Sequence, residues 1–293
     1  MKIKTASEYL TEIYGTKVYK LSLSSGCSCP NRDGKISYGG CTFCSEGGSG
    51  DFAVSDIEEA KKKVIAKFPK SIPEEQRKFI AYYQSYTNTY GDTDRLYSLY
   101  SKVLSRPDIV ILSLGTRPDC INEDVMDMLK KLSSIKPVWV ELGLQTIHEE
   151  SARHINRGYS LDVFEKAYRT LRAAGITVIV HVILGLPGES EEMMLDTVRY
   201  LASLNPPLEG IKIQLLHVLK NTPLEKEYRE HPFKIFSMEE YAGLVVKCLK
   251  ILPPQTVIHR MTGDGPKKIL VAPEWSGDKK KVINYMNKII DKS

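Results

Sequence analysis

No apolar run in the 293-residue sequence approaches the eighteen or so residues needed to cross a bilayer. The first ten residues, Met1 to Leu10, carry no continuous apolar core, so a secretory leader is not expected. Internal repeats, low-complexity tracts and a clear domain linker are also missing. These absences exclude solenoids, fibrous chains and membrane spans, and they place the protein in the cytoplasm. Charge of one sign is scarce too. Forty-one basic residues against 36 acidic ones leave a net +5, which permits a nucleic-acid partner without demanding one. With 42% apolar and 26% charged residues the composition is that of an ordinary globular chain.

What is present is a regular alternation. Mostly apolar, β-branched runs at Lys17–Leu23, Phe79–Gln84, Ile109–Leu114, Val138–Leu144, Thr177–Leu184 and Ile211–Val218 read as strands covered on both faces. Between and after them lie helical stretches at Asp56–Phe68 with Ser55 as N-cap, Asn122–Leu132, Leu161–Ala174 ending at Gly175, Ser190–Leu204 and Met238–Ile251. Six strand–helix units imply a parallel α/β sheet with right-handed crossovers, either doubly wound or curled into a full or partial barrel. The Lys-rich tail Lys279–Ser293 reads as a surface helix.

Cysteine is sparse but concentrated. Four of the six cysteines, Cys27, Cys29, Cys41 and Cys44, fall on one loop after the first strand, punctuated by the turn signals Asp33-Gly34 and Gly39-Gly40. In a reducing compartment such a cluster binds metal rather than forming disulfides. Four thiolates could close a structural zinc site. Three could hold a [4Fe–4S] cluster with one iron left open. The C-x-C spacing of Cys27 and Cys29 is awkward for a zinc knuckle.

The string Cys29-Pro30-Asn31-Arg32-Asp33-Gly34, followed by Cys41-Thr42-Phe43-Cys44, resembles the cluster loop of radical S-adenosylmethionine (SAM) enzymes. The longer first interval is similar to the branch containing the Elongator catalytic subunit and its small bacterial relatives. Further motifs follow in order at strand ends: Gln84-Ser85-Tyr86-Thr87-Asn88-Thr89-Tyr90, Gly115-Thr116-Arg117-Pro118-Asp119, Glu141-Leu142-Gly143-Leu144-Gln145, Ile155-Asn156-Arg157-Gly158 and Gly185-Leu186-Pro187-Gly188. Strand ends are where parallel barrels place ligands.

The resemblance implies a partial (β/α)6 TIM-like barrel over residues 1–273 with a short C-terminal extension at 274–293. Unlike the Elongator catalytic subunit, the sequence is expected to carry no separate acetyltransferase-like domain after this core. Cys29, Cys41 and Cys44 would hold the [4Fe–4S] cluster, with Cys27 a spectator. SAM would meet Phe43, Gln84, Tyr86, Thr87, Asn88, Thr116, Arg117, Asp119, Glu141, Gln145, Gly185 and Leu215, with Arg157 as counter-ion to its carboxylate. His181 is expected as a hydrogen-bonded core residue. Substrate candidates are Tyr90, His259, Arg260, Asp264 and Lys267.

The implied chemistry is reductive cleavage of SAM to a 5′-deoxyadenosyl radical, fed by an external electron donor. The implied substrate is the wobble-uridine side chain of tRNA, trimmed from carboxymethylaminomethyl to aminomethyl. Two other readings stay open at this point: a radical SAM enzyme acting on a small metabolite or peptide, and a zinc-stabilised RNA-binding protein without redox activity.

Overall fold

The computed structural model describes all residues except Ser49 and Asp264. In chain order the elements are β1 (Lys4–Thr5), α1 (Ala6–Tyr14), β2 (Val18–Leu23), α2 (Ile57–Ile65), β3 (Lys78–Tyr83), α3 (Thr93–Leu104), β4 (Ile109–Thr116), α4 (Glu123–Ser133), β5 (Val138–Gln145) and α5 (Glu149–His154). There follow α6 (Leu161–Ala173), β6 (Thr177–Leu184), α7 (Glu191–Ala202), β7 (Gly210–Leu215), β8 (Val218–Leu219), α8 (Pro223–Glu230), α9 (Met238–Ile251), β9 (Val257–Arg260), β10 (Leu270–Ala272) and α10 (Lys279–Asp291).

Each of the six expected strands is found. The sheet order is β1-β9-β7-β6-β5-β4-β3-β2, with neighbouring strands parallel throughout. Eight strands among the described residues therefore curl into an open half-barrel. The sequence reading missed β1 and β9 because runs of two and four residues carry little periodic signal. It also ran the sixth strand too far: Ile211–Val218 is broken after Leu215, and Val218–Leu219 pairs separately with β10.

Helix starts follow local capping chemistry. Side chains of Asp92, Asn122, Ser190 and Ser237 each accept a backbone N–H of the first turn. At α2 the cap is Asp56 rather than Ser55, because the Asp56 carboxylate accepts the N–H of Glu59 at 2.7 Å. Gly175, at φ +72, follows α6 and turns the chain toward β6 in the left-handed conformation that glycine adopts without strain.

The two sheet faces differ. Outward residues such as Leu21, Ala81, Leu112, Val140, Leu142 and Val180 join the helices in one large apolar core. Inward residues change character along the strands. Ile80, Ile111, Trp139 and Ile179 form an apolar plug with Leu10 of α1. One pleat further along come Tyr82, Ser113, Glu141, His181 and Lys212. The C-terminal ends of the strands then open into a cavity. Leu142→Ala should remove about 2–5 kcal/mol of stability in urea denaturation, since its side chain is fully buried beneath the helices. Ile135→Ala, at an exposed position, should stay within about 0.5 kcal/mol.

Candidate functional site

A cavity of about 160 Å³ lies at the C-terminal mouth of the half-barrel. Its wall is built from the cysteine loop and from the ends of β3 to β7 and β9. Cys29, Cys41, Phe43 and Cys44 meet Gln84, Tyr86, Thr87, Thr116, Arg117, Gln145, Arg157 and Arg260 around it. Residues from eight separate stretches of sequence thus converge.

The cysteine loop is held from within. Arg32 reaches back along the loop, donating to the carbonyls of Cys44 (3.1 Å) and Ser45 (2.5 Å), and its guanidinium lies over the Tyr86 ring. The Asn31 amide donates to the Cys41 sulfur at 3.6 Å and to the Asn156 carbonyl at 2.6 Å, tying the loop to the segment after β5. A hydrogen bond with the adjacent Cys44, and then burial, hold the Cys41 thiol well above the ordinary range. Cys27 points elsewhere: it is buried in the main apolar core and accepts from Arg95 at 3.5 Å. Among the described residues no three or more His, Cys, Asp or Glu side chains gather closely enough to hold a single metal ion.

Two features fit a [4Fe–4S] cluster with a polar cofactor beside it. Three thiols of one loop share a cavity, a donor set that suits a cluster with three ligated irons and one left open. The side-chain oxygens of Gln145 and Asn31 are buried without any hydrogen-bond partner, and Gln145 lines the cavity. An orphaned buried acceptor is costly unless a ligand supplies a donor. Backbone strain collects here as well: Tyr86 and Gln145 line the cavity at φ +58 and +69, where non-glycine residues are uncommon.

Several expected contacts are placed differently. Arg157 lines the cavity, but its N–H groups are spent on the carbonyls of Leu144, Thr146 and Tyr159 and on Glu149. It clamps the turn after β5 and has no donor left for a cofactor carboxylate. Asn88 is wholly buried behind the wall, bonded to Ser25, Tyr83 and Gly115. Asp119 forms a two-pronged pair with Arg117 outside the cavity lining. Gly185 and Leu215 do not line the cavity either. Gly185, at φ +92, turns beside Phe236, and Leu215 faces an adjoining chamber of about 110 Å³.

The substrate candidates divide. Arg260 lines both chambers. His259 sits deeper, edge-on to Trp139, with its Nδ1 buried and unpartnered. Tyr90 lies in a separate surface groove under Lys35, and Lys267 lines neither chamber. Asp264 lies outside the described residues.

Glu141 lines the cavity, yet its carboxylate is saturated. One oxygen accepts from Lys20 (2.8 Å) and Ser113 (2.9 Å), and the other is shared by His181 (2.9 Å) and Lys212. Lys212 also donates to the Tyr82 hydroxyl at 3.0 Å. Burial alone would raise the Glu141 carboxyl, but Lys20, Lys212 and His181 together hold it well below the carboxylate range. Burial also pulls the Lys212 ammonium well down, aided by repulsion from Lys20 and Arg260. His181 is pushed down to about 4 by burial and by Lys212, against the pull of Glu141. It is thus both cavity-lining and hydrogen-bonded. The sequence reading missed Lys20 and Lys212; a lysine in an otherwise apolar strand, on the inward face, was the available signal.

Glu141→Ala should cost about 3–5 kcal/mol in urea denaturation, because it leaves the donors of Lys20, His181 and Lys212 without their common buried acceptor. The neutral His181 gives a pH signature. The unfolded chain takes up a proton near pH 6.5 that the folded chain refuses until about 4, so stability falls as pH drops through that window. The expected contribution is about 3 kcal/mol by the lower end. His181→Gln should flatten that part of the stability–pH curve.

Comparison with known proteins gives the family of the chain. The Radical SAM superfamily model matches residues 28–201, and the Radical_SAM C-terminal domain model matches residues 208–292. The chain is 40% identical to the uncharacterized protein YtqA of Bacillus subtilis (strain 168), over 98% of this chain and 89% of that protein. A tRNA uridine(34) acetyltransferase of Methanocaldococcus infernus is 30% identical over 55% of this chain but only 30% of its own length. The solved structure of Methanocaldococcus infernus Elp3 with an N-terminal deletion superposes with a TM-score of 0.67 at 19% identity, over 92% of this chain and 63% of that one. Members of the family bind a [4Fe–4S] cluster and SAM. With a family model covering more than half its length, this chain belongs to the radical SAM superfamily.

Proposed function

We propose that the chain is a radical SAM enzyme that modifies the wobble-uridine side chain of tRNA, removing the carboxymethyl part of a carboxymethylaminomethyl group. The observation that carries the reaction class is the convergence of Cys29, Cys41 and Cys44 on one cavity with four of the five motifs, those containing Gln84, Gly115, Glu141 and Arg157. These three thiolates would hold the cluster, leaving Cys27 in the core. When bound and reduced by an external donor, the cluster and SAM supply a 5′-deoxyadenosyl radical able to take hydrogen from an unactivated carbon.

The chain's own residues position and enclose. Phe43 offers an apolar face, and Gln84, Thr87 and Thr116 offer polar groups on one side of the cavity. The unpartnered Gln145 oxygen is ready to accept from a hydroxyl. Arg117, fixed by Asp119 and by the Arg157 carbonyl at 2.9 Å, stacks on Tyr159 and shapes the wall. The Glu141 network keeps the deep end filled and ordered, so water has little room below the reacting groups. The tRNA part of the reading is supported by likeness to the uridine(34) enzyme and by the mild excess of basic charge. No helix among the described residues is long and apolar enough to cross a membrane, which accords with a site of action in the cytoplasm.

The test is anaerobic reconstitution with iron and sulfide, then dithionite and SAM, with 5′-deoxyadenosine followed by mass spectrometry. Wild type and Cys27→Ala should form product, while Cys29→Ala, Cys41→Ala and Cys44→Ala should each fall at least about 100-fold, as expected when a group required for the chemistry is removed. Adding tRNA that carries the carboxymethylaminomethyl group should raise product and shorten the wobble side chain. A chain that takes up zinc and makes no 5′-deoxyadenosine would sink the enzyme reading. Turnover indifferent to that tRNA would leave the reaction class standing and remove the substrate.

A further inference from the structure

Among the described residues, two cations of the cavity wall form no ion pair, Arg32 and Arg260, and they differ in how far their donors are spent. Arg117 is paired with Asp119, Arg157 is spent on carbonyls and Glu149, and Arg32 is bonded along its own loop. Arg260, at the end of β9, has a single hydrogen bond among the described residues, from Nη1 to the Gln214 side-chain oxygen at 3.3 Å. No carboxylate of the described residues forms an ion pair with it. Glu141 is saturated by four donors, and Asp51 of the adjoining chamber accepts from Ser45 at 2.9 Å. Lys20 and Lys212 pair with Glu141, so among the described residues no ion pair reaches Arg260, and Asp51 shares the adjoining chamber with it without pairing to it.

Position adds to the argument. Phe43, Ile183, Gln214 and Arg260 line both the main cavity and the adjoining chamber, so the guanidinium stands at the passage between them. A half-buried guanidinium with one neutral hydrogen-bond partner and no ion pair among the described residues carries a desolvation cost, and a planar anion arriving there would repay it through two parallel N–H···O bonds. The neutral amide of Gln214 holds one edge of the fork while leaving the others available.

We propose that Arg260, held by Gln214, is the receptor for a carboxylate at the end of the substrate's reacting side chain. The cavity then selects carboxylate-terminated guests over neutral ones of the same size. This deepens the reading above and rests on it for the identity of the guest. It also assigns Arg260 to a carboxylate rather than to an RNA phosphate.

The experiment uses full-length, cluster-loaded protein and equilibrium binding of two anticodon stem-loops. They differ only at the wobble position: carboxymethylaminomethyluridine or its methyl ester. Wild type should prefer the acid by about tenfold, the increment of one strong charge-assisted contact. Arg260→Gln should bring the ratio to about one, and Arg260→Lys should retain part of it. An Arg260→Gln protein with unchanged melting temperature that keeps the tenfold preference overturns the proposal.

A second arm titrates N-ethylglycine and methyl phosphate by calorimetry, without RNA. Saturable, Arg260-dependent binding of N-ethylglycine upholds the receptor even where the stem-loops are not distinguished, and the failure then falls on the tRNA reading. Methyl phosphate binding in its place overturns the carboxylate assignment. Absence of any anion binding, with no acid–ester difference, overturns the receptor altogether.

Discussion

The interior of this half-barrel is organised around the ion pairing of one buried carboxylate. Glu141 draws Lys20 from β2, Ser113 from β4, His181 from β6 and Lys212 from β7 onto its two oxygens, and Lys212 in turn holds Tyr82 of β3. Five strands of the open sheet are thereby fastened to β5 by side chains as well as by the ladder. A closed barrel fixes its interior by having no edge, whereas this sheet ends at β1 and β2. Lys20 matters most in that respect, since it ties the edge strand β2 to the centre.

That network also divides the barrel lengthwise. Below it the plug of Ile80, Ile111, Trp139 and Ile179 is apolar and covered by Leu10 of α1. Above it the strand ends, freed from filling space, carry glycine and polar residues at Gln84, Gly115, Gly143 and Gln214. At Gly143 an added Cβ would come within 2.9 Å of the Gln145 amide, so the small residue preserves the wall's shape. The cysteine loop then closes over this layer, braced within itself by Arg32 and anchored by Asn31 to the Asn156 segment, far from it in sequence.

Much of this was legible in the sequence, for identifiable reasons. Apolar strands between amphipathic helices announce a parallel sheet, and the turn-rich cysteine loop announces a metal site. Motifs at strand ends converge because parallel strands must all end on one side. What stayed hidden depends on where donors are spent. Arg157 reads as a counter-ion until its N–H groups are traced to three carbonyls and Glu149, and Asn88 reads as a ligand until it is found bonded behind the wall. Lys20 and Lys212 read as interruptions of apolar runs, and only the pleat reveals that both face Glu141. The short strand β9 fell below any periodic signal, so the strand position of Arg260 emerged from the register with β7.

The central claim is that three thiolates of one loop hold a [4Fe–4S] cluster and leave one iron for SAM. Mössbauer spectroscopy of the reconstituted, iron-57-enriched protein tests it most directly. The account predicts that adding SAM changes the signal of a single iron, in wild type and in Cys27→Ala alike. A cluster whose irons are all unaffected by SAM, or one that becomes SAM-responsive only when Cys27 is removed, would contradict it.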